Sequence, residues 1–100
     1  AEGYYKKALQ LDPESARAYN GLGSMYGPIG RVDEAVENLQ KAVKYDPSFS
    51  DAHANLAIGY FLQGKYAKAW EHVHIVRDLG GRIDELMVEH LSQQMPDPKK

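Results

Sequence analysis

One stretch of this sequence recurs after 34 residues, and this spacing constrains the fold more than any other feature of the chain. Residues 16–47 read ARAYNGLGSMYGPIGRVDEAVENLQKAVKYDP, and residues 50–81 read SDAHANLAIGYFLQGKYAKAWEHVHIVRDLGG. An Asp-Pro pair comes before the first copy, ending at Pro13, and a second pair ends that copy at Pro47. This period is typical of solenoids in which each repeat is a pair of helices that stacks on the next.

Apolar residues recur at helical spacing within each copy, and proline and glycine interrupt the pattern at regular intervals. Tyr19, Leu22 and Tyr26 fall on one helical face, and Pro28 then ends or kinks that helix. The whole pattern predicts six helices, over approximately residues 1–11, 15–26, 32–44, 50–63, 66–79 and 84–95.

Residue types at fixed offsets strengthen the repeat assignment. The first copy has Tyr19-x₂-Leu22-Gly23-x₂-Tyr26, then Ala35-x₃-Leu39, then Pro47. The second has His53-x₂-Leu56-Ala57-x₂-Tyr60, then Ala69-x₃-Val73, with Gly81 where proline is expected. The pattern resembles that of the tetratricopeptide repeat (TPR) family, whose signature is W-x₂-L-G-x₂-Y, A-x₃-F and P. The resemblance covers residues 1–81 and implies an all-α, right-handed superhelix of about six helices.

Aligned on this period, the chain forms a single domain over residues 1–95. Residues 1–13 correspond to the second helix of a preceding repeat, because Ala1 aligns with Ala35 and Ala69. The two full repeats occupy residues 16–47 and 50–81. Residues 83–95 do not match a third repeat and are interpreted as a capping helix. Residues 96–100, PDPKK, are interpreted as a flexible tail.

The family resemblance also implies a location for partner binding. In TPR proteins the first helix of each repeat lines a concave groove that holds extended or helical peptides. Transferred to this chain, the groove residues are Arg17, Asn20, Ser24, Asp51, Ala54, Asn55, Ile58, Phe61 and Leu62. Two readings of Ile58 and Phe61 stay open: they form an exposed apolar anchor site, or they pack beneath the neighbouring helices.

A comparison with chaperone-binding members of the family narrows the expected partner. Those members hold the C-terminal carboxylate of a chaperone with Lys, Asn and Arg side chains along the groove. In this chain Arg17, Asn20 and Asn55 are the candidates, and no lysine falls on the predicted groove faces. We therefore do not expect this segment to bind chaperone tails.

Composition excludes several classes of function. The net charge of −2 argues against a nucleic-acid partner, which would call for a basic stripe. No apolar run reaches the roughly 18 residues that suggest a membrane helix, so no membrane partner is expected. The absence of cysteine fits a reducing compartment, and we expect a cytoplasmic location.

No pattern of catalytic, metal-binding or cofactor-binding residues is present in the sequence. His72 and His74 lie two residues apart and therefore point to different sides of a helix, where they cannot easily share a metal. The expected function is a non-catalytic protein-interaction module with a scaffold or adaptor role, which binds a protein or peptide in its groove. Two alternatives are self-association as a homodimer through residues 4–11, and substrate recruitment within a larger enzyme.

Overall fold

The computed structural model describes residues 2–99, which form six α-helices joined by short turns. The helices are α1 (Glu2–Leu11), α2 (Ala16–Tyr26), α3 (Val32–Tyr45), α4 (Ser50–Leu62), α5 (Tyr66–Asp78) and α6 (Glu85–Gln94). Within the described part of the chain, each boundary lies within one residue of the sequence prediction. Ala1, which the repeat alignment uses as its first register position, lies outside the described residues.

Local sequence explains where these helices begin and end. The Ser15 hydroxyl accepts a hydrogen bond from the Ala18 backbone N–H at 3.2 Å and so caps the start of α2. The Asp84 carboxylate accepts from two backbone N–H groups in the first turn of α6. At the other end of α2, Gly27–Ile29 forms a single 3₁₀ turn with Pro28 in it. Gly30 follows with φ of +86°, a conformation that favours glycine and redirects the chain into α3.

The helices stack in order along the molecule, α2 on α3, α3 on α4 and α4 on α5, and α2 also contacts α4. The larger buried cluster joins α3, α4, α5 and α6 around residues such as Leu39, Leu56 and Val73. A smaller cluster around Leu22 and Tyr26 holds α1 and α2 against α3. The fold is therefore an elongated, all-α superhelical stack, with dimensions of 43 × 27 × 17 Å.

The C-terminal segment departs from the sequence prediction of a flexible tail over residues 96–100. Asp97 is 9% exposed, and its carboxylate lies 2.8 Å from His74 Nε2 on α5. The indole N–H of Trp70 also donates to the Met95 carbonyl at 2.8 Å. These contacts dock residues 95–97 against α5, so the prediction was wrong for Asp97, while Lys100 lies outside the described residues.

Candidate functional site

A mostly apolar cleft lies where α2, α3 and α4 meet. It has a volume of about 230 Å³. Its walls are Gly23, Ser24, Gly27 and Pro28 from α2 and its 3₁₀ turn, Val32, Ala35 and Leu39 from α3, and Asn55, Ile58, Gly59 and Leu62 from α4. None of these residues carries an ionisable side chain, and most are aliphatic or glycine. The cleft therefore favours an uncharged apolar group over a charged one.

Two glycines give the cleft its shape in different ways. At Gly23 the α2 backbone presses against α3, and a Cβ atom there would lie 2.4 Å from Leu39 Cγ. At Gly27 a Cβ atom would meet nothing within 4 Å, so this position borders open space. Gly23 brings the walls together on one side, and Gly27 leaves the cleft unfilled on another.

An amide pair links the two helices beside the cleft. Asn55 on α4 donates its side-chain N–H to the Asn20 carbonyl oxygen on α2 at 3.0 Å. Both residues are half-buried, and Asn55 itself lines the cleft. A carboxamide offers two donors and an acceptor with two lone pairs, so a single bond between two amides leaves both donor and acceptor capacity. The pair can therefore form hydrogen bonds with a peptide main chain, which presents the same two kinds of group.

The predicted groove residues do not all share one environment. Ser24, Asn55, Ile58 and Leu62 line the cleft, and Asn20 adjoins it through its bond to Asn55. Ile58 and Phe61 are both half-buried and pack against the main core cluster, but only Ile58 also lines the cleft. Ile58 is half-buried at the cleft, whereas the Phe61 ring packs against the Tyr66 ring of α5 at 5.9 Å.

The remaining three predicted groove residues are placed away from the cleft lining. Arg17 and Asp51 are exposed near the starts of α2 and α4, and Ala54 is half-buried one helical turn further along α4. Sequence reasoning missed Gly27, Pro28 and the α3 wall of the cleft. The residue 34 positions after Gly27 is Phe61. A comparison of the two repeats would therefore have indicated that the first lacks an aromatic side chain at this position.

A second polar arrangement couples two histidines across α4 and α5. Their Nδ1 atoms, in His53 and His72, lie 2.9 Å apart, and the rings stack with centroids 5.1 Å apart. His53 Nε2 is 2.8 Å from the Pro47 carbonyl oxygen, which can only accept. His53 therefore carries its proton on Nε2, and its Nδ1 accepts from the His72 Nδ1–H. Burial, together with the neighbouring His53, lowers the pKa of His72 to about 4.

This histidine pair is not part of a larger set of metal ligands. Over residues 2–99 no group of three or more His, Cys, Asp or Glu side chains converges as a cation site. The same described residues include no helix with both the length and the apolar character needed to cross a bilayer.

Comparisons with known proteins agree with this architecture. A "TPR repeat" family model matches residues 29–64, and a "Tetratricopeptide repeat" model matches residues 4–37. The structure of YrrB, described as a TPR protein with an unusual peptide-binding site, superimposes with a TM-score of 0.85 at 20% identity. The match covers 99% of this chain and 52% of that one, and at this identity it supports the fold alone.

Two curated relatives also share the repeat. Small glutamine-rich tetratricopeptide repeat-containing protein 2 of Mycosarcoma maydis is 33% identical over 67% of this chain and 19% of its own length. Hsp70-Hsp90 organizing protein 3 of Arabidopsis thaliana is 28% identical over 68% of this chain and 12% of its own length. This chain thus spans less than a fifth of either relative. Its repeat signature, its stacked helix pairs and these matches show that the chain belongs to the tetratricopeptide repeat family.

Proposed function

We propose that this chain is a non-catalytic protein-interaction segment that binds a peptide from a partner protein along the groove formed by α2 and α4. The observation that carries the proposal is the cleft between these helices, an apolar depression with the Asn20–Asn55 amide pair beside it. A peptide needs both features, because apolar side chains gain from burial while its main chain must keep its hydrogen bonds.

Preorganisation supports this function. The walls of the cleft belong to helices that also bury other side chains in the core, such as Leu22 on α2 and Leu56 on α4. Such walls already hold their bound geometry, so a flexible peptide can bind without ordering the receptor as well. The relatives support protein binding only in general terms, because this chain spans a small part of each.

The charges on the proposed groove argue against a carboxylate clamp. Its nine residues include one cation, Arg17, and one anion, Asp51, and both are exposed. Surface charges of this kind contribute little to affinity. We therefore propose an internal peptide segment, read by its apolar side chains and its main chain, as the ligand.

A random peptide library displayed on phage and selected against this chain tests the proposal. Selected peptides should perturb the backbone amide signals of α2 and α4 in NMR spectra. Ser24→Arg, which places a bulky cation at the cleft, should weaken binding at least tenfold. Gln10→Arg makes a similar change at an exposed position of α1 and should leave binding unchanged. Peptides that bind equally well to both variants, or that shift only α1 or α6, would show that the groove is not the binding surface.

Exposed apolar residues on α1 favour self-association as a second candidate function. Tyr4 is 74% exposed and Leu11 is 82% exposed, and no residue of α1 is fully buried. Two copies that pair through residues 4–11 would cover these side chains in a symmetric dimer. Sedimentation over a range of concentrations tests this function, and a strict monomer at high concentration excludes it.

A further inference from the structure

The two repeats differ at two pairs of equivalent positions beside the cleft. The 34-residue period places Gly27 in register with Phe61, and Val32 in register with Tyr66. In the second repeat the two aromatic rings lie 5.9 Å apart, and both pack against the main core cluster. In the first repeat the glycine and the valine line the cleft, and Val32 also packs against that cluster. The first repeat therefore lacks the aromatic side chains with which the second fills its own equivalent position.

The size of the cleft fits the missing group. A protein cavity of about 150 Å³ lined by aliphatic residues admits benzene. The cleft here, at about 230 Å³, has room for one phenyl ring and the carbon that attaches it to a main chain. The absence of ionisable residues from its walls excludes a carboxylate or an ammonium group as a favourable occupant, because neither would find a partner there.

We propose that the cleft is a single-residue anchor site, which takes one bulky, uncharged apolar side chain of a bound peptide and fits phenylalanine best. The peptide ring occupies the place that Phe61 and Tyr66 fill in the second repeat. The Asn20–Asn55 pair bonds the main chain beside the anchor. This inference rests on the proposed function and narrows it, because it states which residue a binding peptide must carry.

Small capped amino acids test the anchor site without a known partner. We would titrate isotope-labelled protein with N-acetyl-phenylalanine N-methylamide, and separately with the alanine and aspartate analogues, and follow the amide signals of Gly27, Ile58 and Gly59. A ligand of this size reaches a Kd on the order of 1 mM. We expect saturable shifts at these amides with the phenylalanine compound, and at least tenfold weaker binding of the other two.

Variants that fill the cleft with a side chain of their own should lose binding of the phenylalanine compound. Gly27→Phe restores the residue found at the equivalent position of the second repeat and should abolish the shifts caused by the phenylalanine compound. Gly3→Phe is the control, because a Cβ atom at Gly3 also meets nothing within 4 Å and Gly3 lies on α1, away from the cleft. A side chain at position 27, directly before Pro28, disfavours the helical backbone that Gly27 adopts. Ser24→Leu therefore provides a second variant that fills the cleft and leaves position 27 unchanged.

The outcomes separate the anchor site from the proposed function. Equal binding of the phenylalanine and alanine compounds, or unchanged binding by a folded Gly27→Phe or Ser24→Leu variant, overturns the anchor site. If library peptides lose affinity with Ser24→Arg but bind Gly27→Phe as tightly as the parent chain, the groove function holds and the anchor site fails. If the phenylalanine compound binds in the cleft but no library peptide uses the groove, the proposed function fails while the preference of the cleft is retained.

Discussion

His53 on α4 and His72 on α5 share a hydrogen bond between their Nδ1 atoms, at 2.9 Å, and stack their rings. The bond joins the first and second helices of one repeat at a position where the TPR signature has a tryptophan. In this bond the His72 Nδ1–H donates and His53 Nδ1 accepts, because the His53 Nε2–H faces the Pro47 carbonyl oxygen.

This pair predicts a loss of stability in mild acid. The pKa of His72 is about 4 in the folded chain and 6.5 in an unperturbed histidine, so the unfolded chain binds the proton first as the pH falls. The stabilisation is complete above pH 6.5 and is lost between pH 6.5 and about 4. Because His72 is only partly buried, solvent screening reduces the effect to about 1–2 kcal/mol. Urea unfolding at several pH values measures it.

Substitution tests whether His72 is the group responsible. Gln at position 72 keeps an N–H donor for His53 but does not titrate, so His72→Gln should flatten the pH dependence between pH 6.5 and 4. His90→Gln alters an exposed histidine on α6 and should keep the slope of the parent chain. Equal slopes for all three proteins would assign the acid sensitivity to other groups.

The fold could be predicted from the sequence because its signals are local or periodic. The aromatic and small residues of the repeat, such as Tyr26 and Ala35, set which helix faces are buried, and Pro13 and Pro47 mark where helices stop. The all-α superhelical architecture and the family were therefore predicted correctly. The groove residues inferred from the resemblance stay a prediction, although four of them line the cleft.

The details that were missed depend on how helices are rotated and spaced against each other. His53 and His72 are 19 residues apart, and their contact requires one particular rotation of α5 on α4. Asp97 lies in a Pro-rich, charged segment whose composition indicates a solvated tail, yet it is buried and bonds to a histidine on α5. Gly27 indicates a helix end by itself, and only its register with Phe61 reveals a missing side chain.

Because α2 packs closely on α3 at Gly23, a methyl group at this position should lower the stability of the chain. A Cβ atom at position 23 would lie 2.4 Å from Leu39 Cγ and 3.1 Å from the Ala35 carbonyl oxygen. Gly23→Ala should destabilise the chain by about 1–3 kcal/mol, the usual range for overpacking a core. Gly3→Ala is the control, because a methyl group there meets open space and alanine favours a helix. Urea unfolding compares the two, and similar stabilities would show that Leu39 moves aside freely.

Removal of the N-cap of α6 should lower the stability of the chain by less than a change in the core. Asp84 accepts from the Leu86 and Met87 backbone N–H groups at 3.0 and 3.4 Å, so Asp84→Ala leaves these donors without that acceptor. We expect a loss of about 1 kcal/mol, with amide exchange faster in α6 than in α3. Asp84→Ser should restore most of the stability, because serine is also a good cap. A Ser variant as unstable as the Ala variant would show that the charge of Asp84, rather than the cap, is what matters.

The docked C-terminal segment can be followed through Trp70, the one tryptophan in the chain. Trp70 is 2% exposed and donates to the Met95 carbonyl, two residues before Asp97. Asp97→Ala removes the carboxylate that holds His74, so residues 95–97 should detach and let water reach the indole ring. We expect a red shift in Trp fluorescence and a loss of about 1–2 kcal/mol, since the half-buried His74 loses its hydrogen-bond partner. Glu37→Ala removes an exposed carboxylate from α3, away from Trp70, and should leave the emission unchanged. If the Asp97 variant kept the parent spectrum, the Trp70–Met95 hydrogen bond and the packing around it would be enough to hold the segment against α5.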